Sequence, residues 1–219
     1  RREDNGWRDT LWQHVKNRLA AWDVFEGHHT AEEGPFNRSA AINRAAVAAG
    51  DWDVAVIVDS DIIVGDNQID DAVRQAAATD RITFGFVTYR ALNPDGTARI
   101  LAGWDGAWEP FIDWEAPNTA SSCVAVSRHL WEQVGGFDER FVGWGWEDCA
   151  FSIACQTLGG GWNRIEGPGW HLWHPPSPEN NGASPHWQAN VARMKRYEAA
   201  AYNPEAMRAL LDELRGERV

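Results

Sequence analysis

A chain of 219 residues that is 44% hydrophobic is long enough to bury a sizeable core within one domain. Its formal net charge of -12 disfavours nonspecific binding to a phosphate backbone, which draws on clustered Lys and Arg. No run of eighteen apolar residues occurs, and the opening RREDNGWRD lacks a signal-peptide pattern, so the sequence reads as soluble, without membrane insertion, and cytoplasmic.

In chain order, Trp7 to Ala21 places Leu11, Val15 and Leu19 at helical spacing and predicts a first helix. DVFEG follows as a short strand. FNRSAAINRAAVAAG is alanine-rich and predicts a helix that stops at Gly50. Asp53 to Asp61, DVAVIVDSD, is a continuous β-branched run that predicts a strand buried on both faces. Asn67 to Ala78 predicts the next helix, and RITFGFVTY a further strand. Ala102 to Asn118 sets Trp104, Trp108 and Trp114 among Gly, Pro and acidic residues and reads as a long loop. SSCVAVS predicts a strand, Arg128 to Val134 a short helix, and Asp148 to Leu158 another. NRIEG predicts a last strand, before the loop HLWHPPSP and two polar helices toward Val219. This alternation implies an α/β fold with a mostly parallel sheet flanked by helices.

Three cysteines, Cys123, Cys149 and Cys155, form no CxxC pair, which disfavours a disulfide framework or a zinc knuckle. Fourteen tryptophans exceed what a core of this size needs, and several stand beside Gly, Asp, His or Pro. Flat rings placed so are platforms for ring-shaped ligands, sugars first.

Four segments could carry chemistry. The strand VAVIV delivers Asp59 and Asp61 to the carboxyl edge of the sheet, where α/β proteins bind ligands. Two carboxylates so spaced can share Mg²⁺ or Mn²⁺, or simply cap a turn. In VGGFDERFVGWGWEDCAF, Glu147 and Asp148 stand where a helix begins and its dipole favours negative charge. That role explains the two acids but not Trp144 and Trp146 set between glycines. His171 and His174 of HLWH have too few companions for a zinc site of their own; they are ordinary loop residues, or one completes a metal held by Asp61. Phe36, Asn37 and Arg38, at a helix start, could stack on a base and bind a phosphate or carbonyl.

Together and in order, FNRSAAIN, VDSD, SSCVAVSRHLWEQVGGFDERFVGWGWEDCAF and HLWH resemble glycosyltransferases of the GT-A fold. The similarity is to the family 2 type, especially the metal-dependent galactosyltransferases and N-acetylgalactosaminyltransferases with a GWGxED signature. It spans Phe36 to His174. The resemblance implies a single GT-A domain over residues 1–219, with 188–219 as a helical C-terminal extension. It implies an inverting transfer from a nucleoside diphosphate sugar, a UDP-sugar, to an acceptor hydroxyl, with Mn²⁺ or Mg²⁺ as cofactor. Asp61 would bind the metal, Asp59 the ribose or the same metal, and His174, or else His171, would be the late metal ligand. Phe36 and Arg38 would contact the base, and Glu26 would face the nucleoside. Asp148 would be the catalytic base, with Glu147 and Trp144 shaping the acceptor pocket and Gly135 and Gly136 allowing close approach beside the donor sugar.

Such enzymes usually open with an apolar strand ending in a Pro- or Arg-containing turn that cradles the nucleotide. RREDNGW has no such strand; either it is omitted or Arg1 and Arg2 are the remnant of that turn. The acceptor could be a glycan, a hydroxylated DNA base or a protein. A sugar-binding protein that keeps the fold without turnover is the non-enzymatic alternative.

Overall fold

The structure is a computed structural model that describes residues 6–176 and 184–216; Arg1 and Arg2 lie outside them. Helices α1 (Trp7–Arg18) and α2 (Arg38–Ala48) precede β1 (Val54–Val58), β2 (Ile62–Ile63) and α3 (Asp66–Thr79). Then come β3 (Ile82–Phe84), β4 (Thr88–Leu92), α4 (Pro94–Leu101), β5 (Ile112–Pro117) and β6 (Cys123–Ser127). The remaining elements are α5 (Arg128–Val134), α6 (Glu147–Leu158), β7 (Trp162–Arg164), β8 (Pro168–His171), α7 (Pro185–Ala200) and α8 (Pro204–Gly216). Short polar side chains start several helices. Asn37 accepts from the Ala40 N–H at 2.9 Å, Asn93 from Gly96 at 2.8 Å, and Ser127 from Leu130 at 3.1 Å, each satisfying a donor the helix cannot.

The strands form two four-stranded sheets, ordered β1-β6-β3-β7 and β2-β8-β4-β5. The α/β class holds, but the expected mostly parallel arrangement does not. β6 runs antiparallel between β1 and β3, and β5 folds back antiparallel on β4; only β3–β7 and β4–β8 are parallel. RITFGFVTY is two strands in different sheets. The break falls at Gly85, where a Cβ would lie 2.5 Å from the Cys123 sulfur, so glycine is what lets β3 and β6 approach there. DVFEG is irregular rather than a strand, and β1 is half-buried along its length because it is the last strand of its sheet. The segment 102–118 is not wholly loop, since β5 lies in it, and α4 and β8 have no counterpart in the sequence reading.

The largest core cluster joins Phe84, Val124 and Val126 to Phe137 and Phe151 of the α5–α6 region and to Tyr197, Met207 and Leu211 of the last two helices. Residues 188–216 therefore complete the core against this sheet. Phe137 and Phe151 stack with centroids 4.0 Å apart. The other cluster that matters for the site packs Leu11, Trp12 and Val15 of α1 against Ile63, Leu92 and Leu172, which holds α1 beside β2 and β8. Among the described residues no helix is long and apolar enough to cross a membrane.

Candidate active site

One cavity of about 1260 Å³ opens at the carboxyl end of β1 and contains Asp59, Asp61, His171, His174, Glu147 and Asp148 in its lining. Glu26, Phe36, Arg38 and Trp144 line it too. Its two ends are built differently.

At one end, Ile62 pairs with His171 across β2 and β8, and the Leu172 N–H donates to the Asp61 carbonyl at 2.8 Å. That ladder brings residues more than a hundred positions apart into contact. Ligand atoms of Asp61, His171 and His174 lie within 4.8 Å of one another. His174 Nε2 is 3.2 Å from Asp61 Oδ2, and His171 Nε2 is 3.8 Å from Asp61 Oδ1. His174 Nδ1 lies 2.8 Å from the Pro175 carbonyl and donates to it when protonated there; burial resists charge on this ring, but the hydrogen bond to Asp61 outweighs it and raises the His174 pKa. Burial resists charge on Asp61, but the hydrogen bond to His174 and the positive neighbours His171, His174 and Arg8 outweigh it and hold the carboxyl below the usual range. Burial lowers the His171 pKa, favouring the neutral imidazole that ligates metals. One carboxylate and two imidazoles on a shared centre fit a divalent cation.

Asp59 is not part of that cluster. Arg38 takes its Oδ1 through Nη2 at 2.6 Å and Nε at 3.1 Å. The remaining guanidinium nitrogen, Nη1, is buried with no hydrogen-bond partner and stands 3.5 Å from Glu147 Oε1. Arg38 thus ties the turn after β1 to the acidic end and keeps one donor for a ligand.

At the acidic end, Gly143 (φ 77), Trp146 (φ 79) and Gly145 (φ 101) take left-handed backbone before α6 begins at Glu147. The resulting turn lays Trp144 against Trp187 of α7, centroids 5.0 Å apart and planes 14° from parallel. A Cβ at Gly145 would lie 2.5 Å from the Trp187 ring, so the close approach requires glycine. Asn190 of α7 donates to the carbonyls of Val142 at 3.0 Å and Gly145 at 3.2 Å, fixing the turn from above. Burial and then the neighbouring Asp148 push the Glu147 carboxyl up to about 7, against the opposing pull of Arg38. Asp148 Oδ1 accepts from the Cys149 N–H at 2.7 Å.

Gly135 and Gly136 do not line the cavity. They end α5 with φ of 78 and 72, and their faces meet Arg215, and Asn43 with Trp131, respectively. Their glycine character serves the helix stop. Arg8, Trp187 and Tyr89 are cavity residues that carry no signal in the sequence. Arg8, whose Nη1 is 3.5 Å from Asp61 Oδ2, falls in an ordinary amphipathic helix. Trp187 is a single ring in a polar helix, and Tyr89, with its ring 5.4 Å from His171, looks like any strand aromatic.

Residues 109–169 match the family model described as the N-terminal domain of galactosyltransferase. The O-antigen biosynthesis protein RfbC of Myxococcus xanthus is 32% identical over 130 residues, 49% of this chain. The chain spans about a tenth of that relative's length, 10%. Among solved structures, the catalytic domain of Drosophila beta1,4galactosyltransferase 7 in complex with xylobiose is similar with a TM-score of 0.51 and 15% identity, over 87% of this chain and 76% of that one. A mutant of the same enzyme with manganese, UDP-Gal and xylobiose matches at a TM-score of 0.43 and 16% identity, over 75% and 62%. The fold is the GT-A fold of glycosyltransferases. The segment that matches the galactosyltransferase family model runs from just before β5 into β8, through the tryptophan and acid turn.

Proposed function

We propose that the chain is a metal-dependent inverting glycosyltransferase that moves a hexose from a UDP-sugar to a hydroxyl of a glycan acceptor. The observation that carries this reading is the union, in one cavity, of a carboxylate–imidazole cluster with a carboxylate pair beside stacked indoles. Asp61, His171 and His174 would hold the cation, and two imidazoles favour Mn²⁺ over Mg²⁺, which prefers oxygen ligands. When bound, the metal supplies positive charge to a departing diphosphate.

The protein's own groups do the rest. Arg38 offers its unpartnered Nη1 to the donor, and Phe36 and Glu26 line the same region for the nucleoside. Trp144 and Trp187 give the acceptor ring an apolar wall and exclude water from one side. Asp148, at the first turn of α6, takes the proton of the attacking hydroxyl. Glu147, poised near pH 7, holds a proton part of the time and orients that hydroxyl by hydrogen bonding. Attack opposite the leaving group inverts the anomeric carbon. The likeness to a xylobiose-bound enzyme supports a sugar acceptor. Release of UDP from UDP-galactose, with Mn²⁺ and a panel of disaccharides, tests the assignment. Loss of release on EDTA treatment and in Asp148→Asn is expected, and full activity in Asp148→Asn rules out the proposed base.

A further inference from the structure

Arg8 stands at the wrong end of a helix for its charge. It is the second residue of α1 (Trp7–Arg18), where the helix dipole favours anions. A charge that breaks a local rule points to a demand from elsewhere in the fold. Its guanidinium spans the cation cluster: Nη1 is 3.5 Å from Asp61 Oδ2, and Nη2 is 3.3 Å from His174 Nδ1. Two of the three cluster residues, Asp61 and His174, therefore meet a fixed positive charge.

Both sides of this contact are anchored. Leu11, Trp12 and Val15 pack α1 against Ile63, Leu92 and Leu172. Trp7 meets Trp173 edge-on with ring centroids 5.6 Å apart, and the Trp173 N–H donates to the buried Thr97 hydroxyl at 2.7 Å. Between these anchors the guanidinium rides on a stem rich in rotamers. His174 has a ready replacement for it, because Nδ1 also lies 2.8 Å from the Pro175 carbonyl. A guanidinium only donates and a carbonyl only accepts, so Arg8 and Pro175 are alternative partners of one nitrogen.

Charge gives this arrangement its consequence. A divalent ion held by Asp61, His171 and His174 would share the Asp61 carboxylate with the guanidinium, and the two positive charges repel. A diphosphate offers oxygens to both, and a guanidinium pairs with phosphate in a two-pronged fork. We propose that Arg8 makes metal binding conditional on the donor. It opposes the cation in the empty site, and it turns from Asp61 and His174 to the diphosphate when metal and donor are both bound. The inference rests on the metal-dependent transfer proposed above. Metal and diphosphate are then coupled ligands, each raising the affinity of the other by the same factor.

Binding measurements on the 219-residue chain test this without turnover, with Mn²⁺ read by electron paramagnetic resonance and UDP by calorimetry. In Arg8→Met, Mn²⁺ alone is expected to bind about tenfold tighter than in wild type, and UDP in the presence of Mn²⁺ about tenfold weaker. A side chain that only supported the fold would weaken both ligands when removed. Arg8→Lys keeps the charge without the fork, so Mn²⁺ should bind as in wild type and UDP more weakly; this variant carries the test if Arg8→Met does not fold. Mn²⁺ affinity that is unchanged or lower in Arg8→Met would overturn the inference, as would wild-type affinity for UDP in both variants. Wild type that binds no Mn²⁺ would remove the metal-dependent reading and this inference together, whereas equal Mn²⁺ binding by wild type and Arg8→Met removes the inference alone.

Discussion

The two ends of the cavity reach functional geometry by opposite routes. The acidic end is a single contiguous turn, Gly143 to Asp148, whose left-handed glycines and Trp146 N-cap write its shape into the local sequence. The histidine end is assembled across β2 and β8 from Asp61, His171 and His174, and no local rule specifies it. The first end is held by the Asn190 hydrogen bonds to the turn, the second by the pairing of β2 with β8. The ends are therefore separable by mutation, joined chiefly by Arg38, which grips Asp59 and stands against Glu147.

The largest separation is expected from Asp148→Asn. Loss of a general base lowers turnover by about 10²- to 10⁴-fold, and Mn²⁺ binding followed by electron paramagnetic resonance should stay unchanged, because Asp148 is outside the cation cluster. The mirror experiment is Asp61→Asn. Removing the only carboxylate of the cluster should weaken Mn²⁺ binding by about 100-fold, while the Trp144–Trp187 stack keeps its fluorescence signature. Weakened Mn²⁺ binding in Asp148→Asn would show that the ends are not independent.

The acidic end also has its own pH signature. Glu147 titrates near 7 in the fold and near 4.5 when unfolded, so between those values the native state binds more protons. Its contribution to stability is then fully present below about pH 4.5 and is lost as pH rises through 7, by up to about 3 kcal/mol. Glu147→Gln should remove that part of the slope in urea titrations; an unaltered slope would mean that the carboxyl is not raised. The smallest effect is expected from Trp187→Ala, a rise of about tenfold in acceptor KM with little change in donor KM, in keeping with one stacked ring.

The same contrast decides what could be read from the sequence. Segments with a local signature were legible: the helix start at FNR, the strand VAVIV, and the glycine–tryptophan turn before α6. The fold class followed from their order and from the resemblance they carry. What depends on long-range pairing was not. Gly85 looked like an interior strand residue, yet it marks the switch between sheets because Cys123 approaches it, which no residue nearby in sequence reveals. DVFEG has strand composition but is irregular among the described residues, because strand formation depends on long-range pairing that composition does not encode. Gly135 and Gly136 looked like ligand-facing glycines because helix stops and ligand approaches favour the same residue. Asp59, expected at the ribose or the same metal, is held through Oδ1 by Arg38, a pairing across twenty-one positions that its neighbours in sequence do not reveal. Arg8 and Trp187 enter the site only through the packing of α1 and α7.

The most direct measurement is UDP release from UDP-galactose by four proteins in parallel: wild type, Asp61→Asn, Asp148→Asn and the double variant, each with a disaccharide acceptor across a Mn²⁺ titration. Acceptor-dependent release by wild type, lost in Asp148→Asn at every Mn²⁺ concentration and partly restored in Asp61→Asn by excess Mn²⁺, is the expected result. Release by Asp148→Asn at the wild-type rate, or release by wild type that is unaffected by removing Mn²⁺, would contradict a transferase built from these two ends.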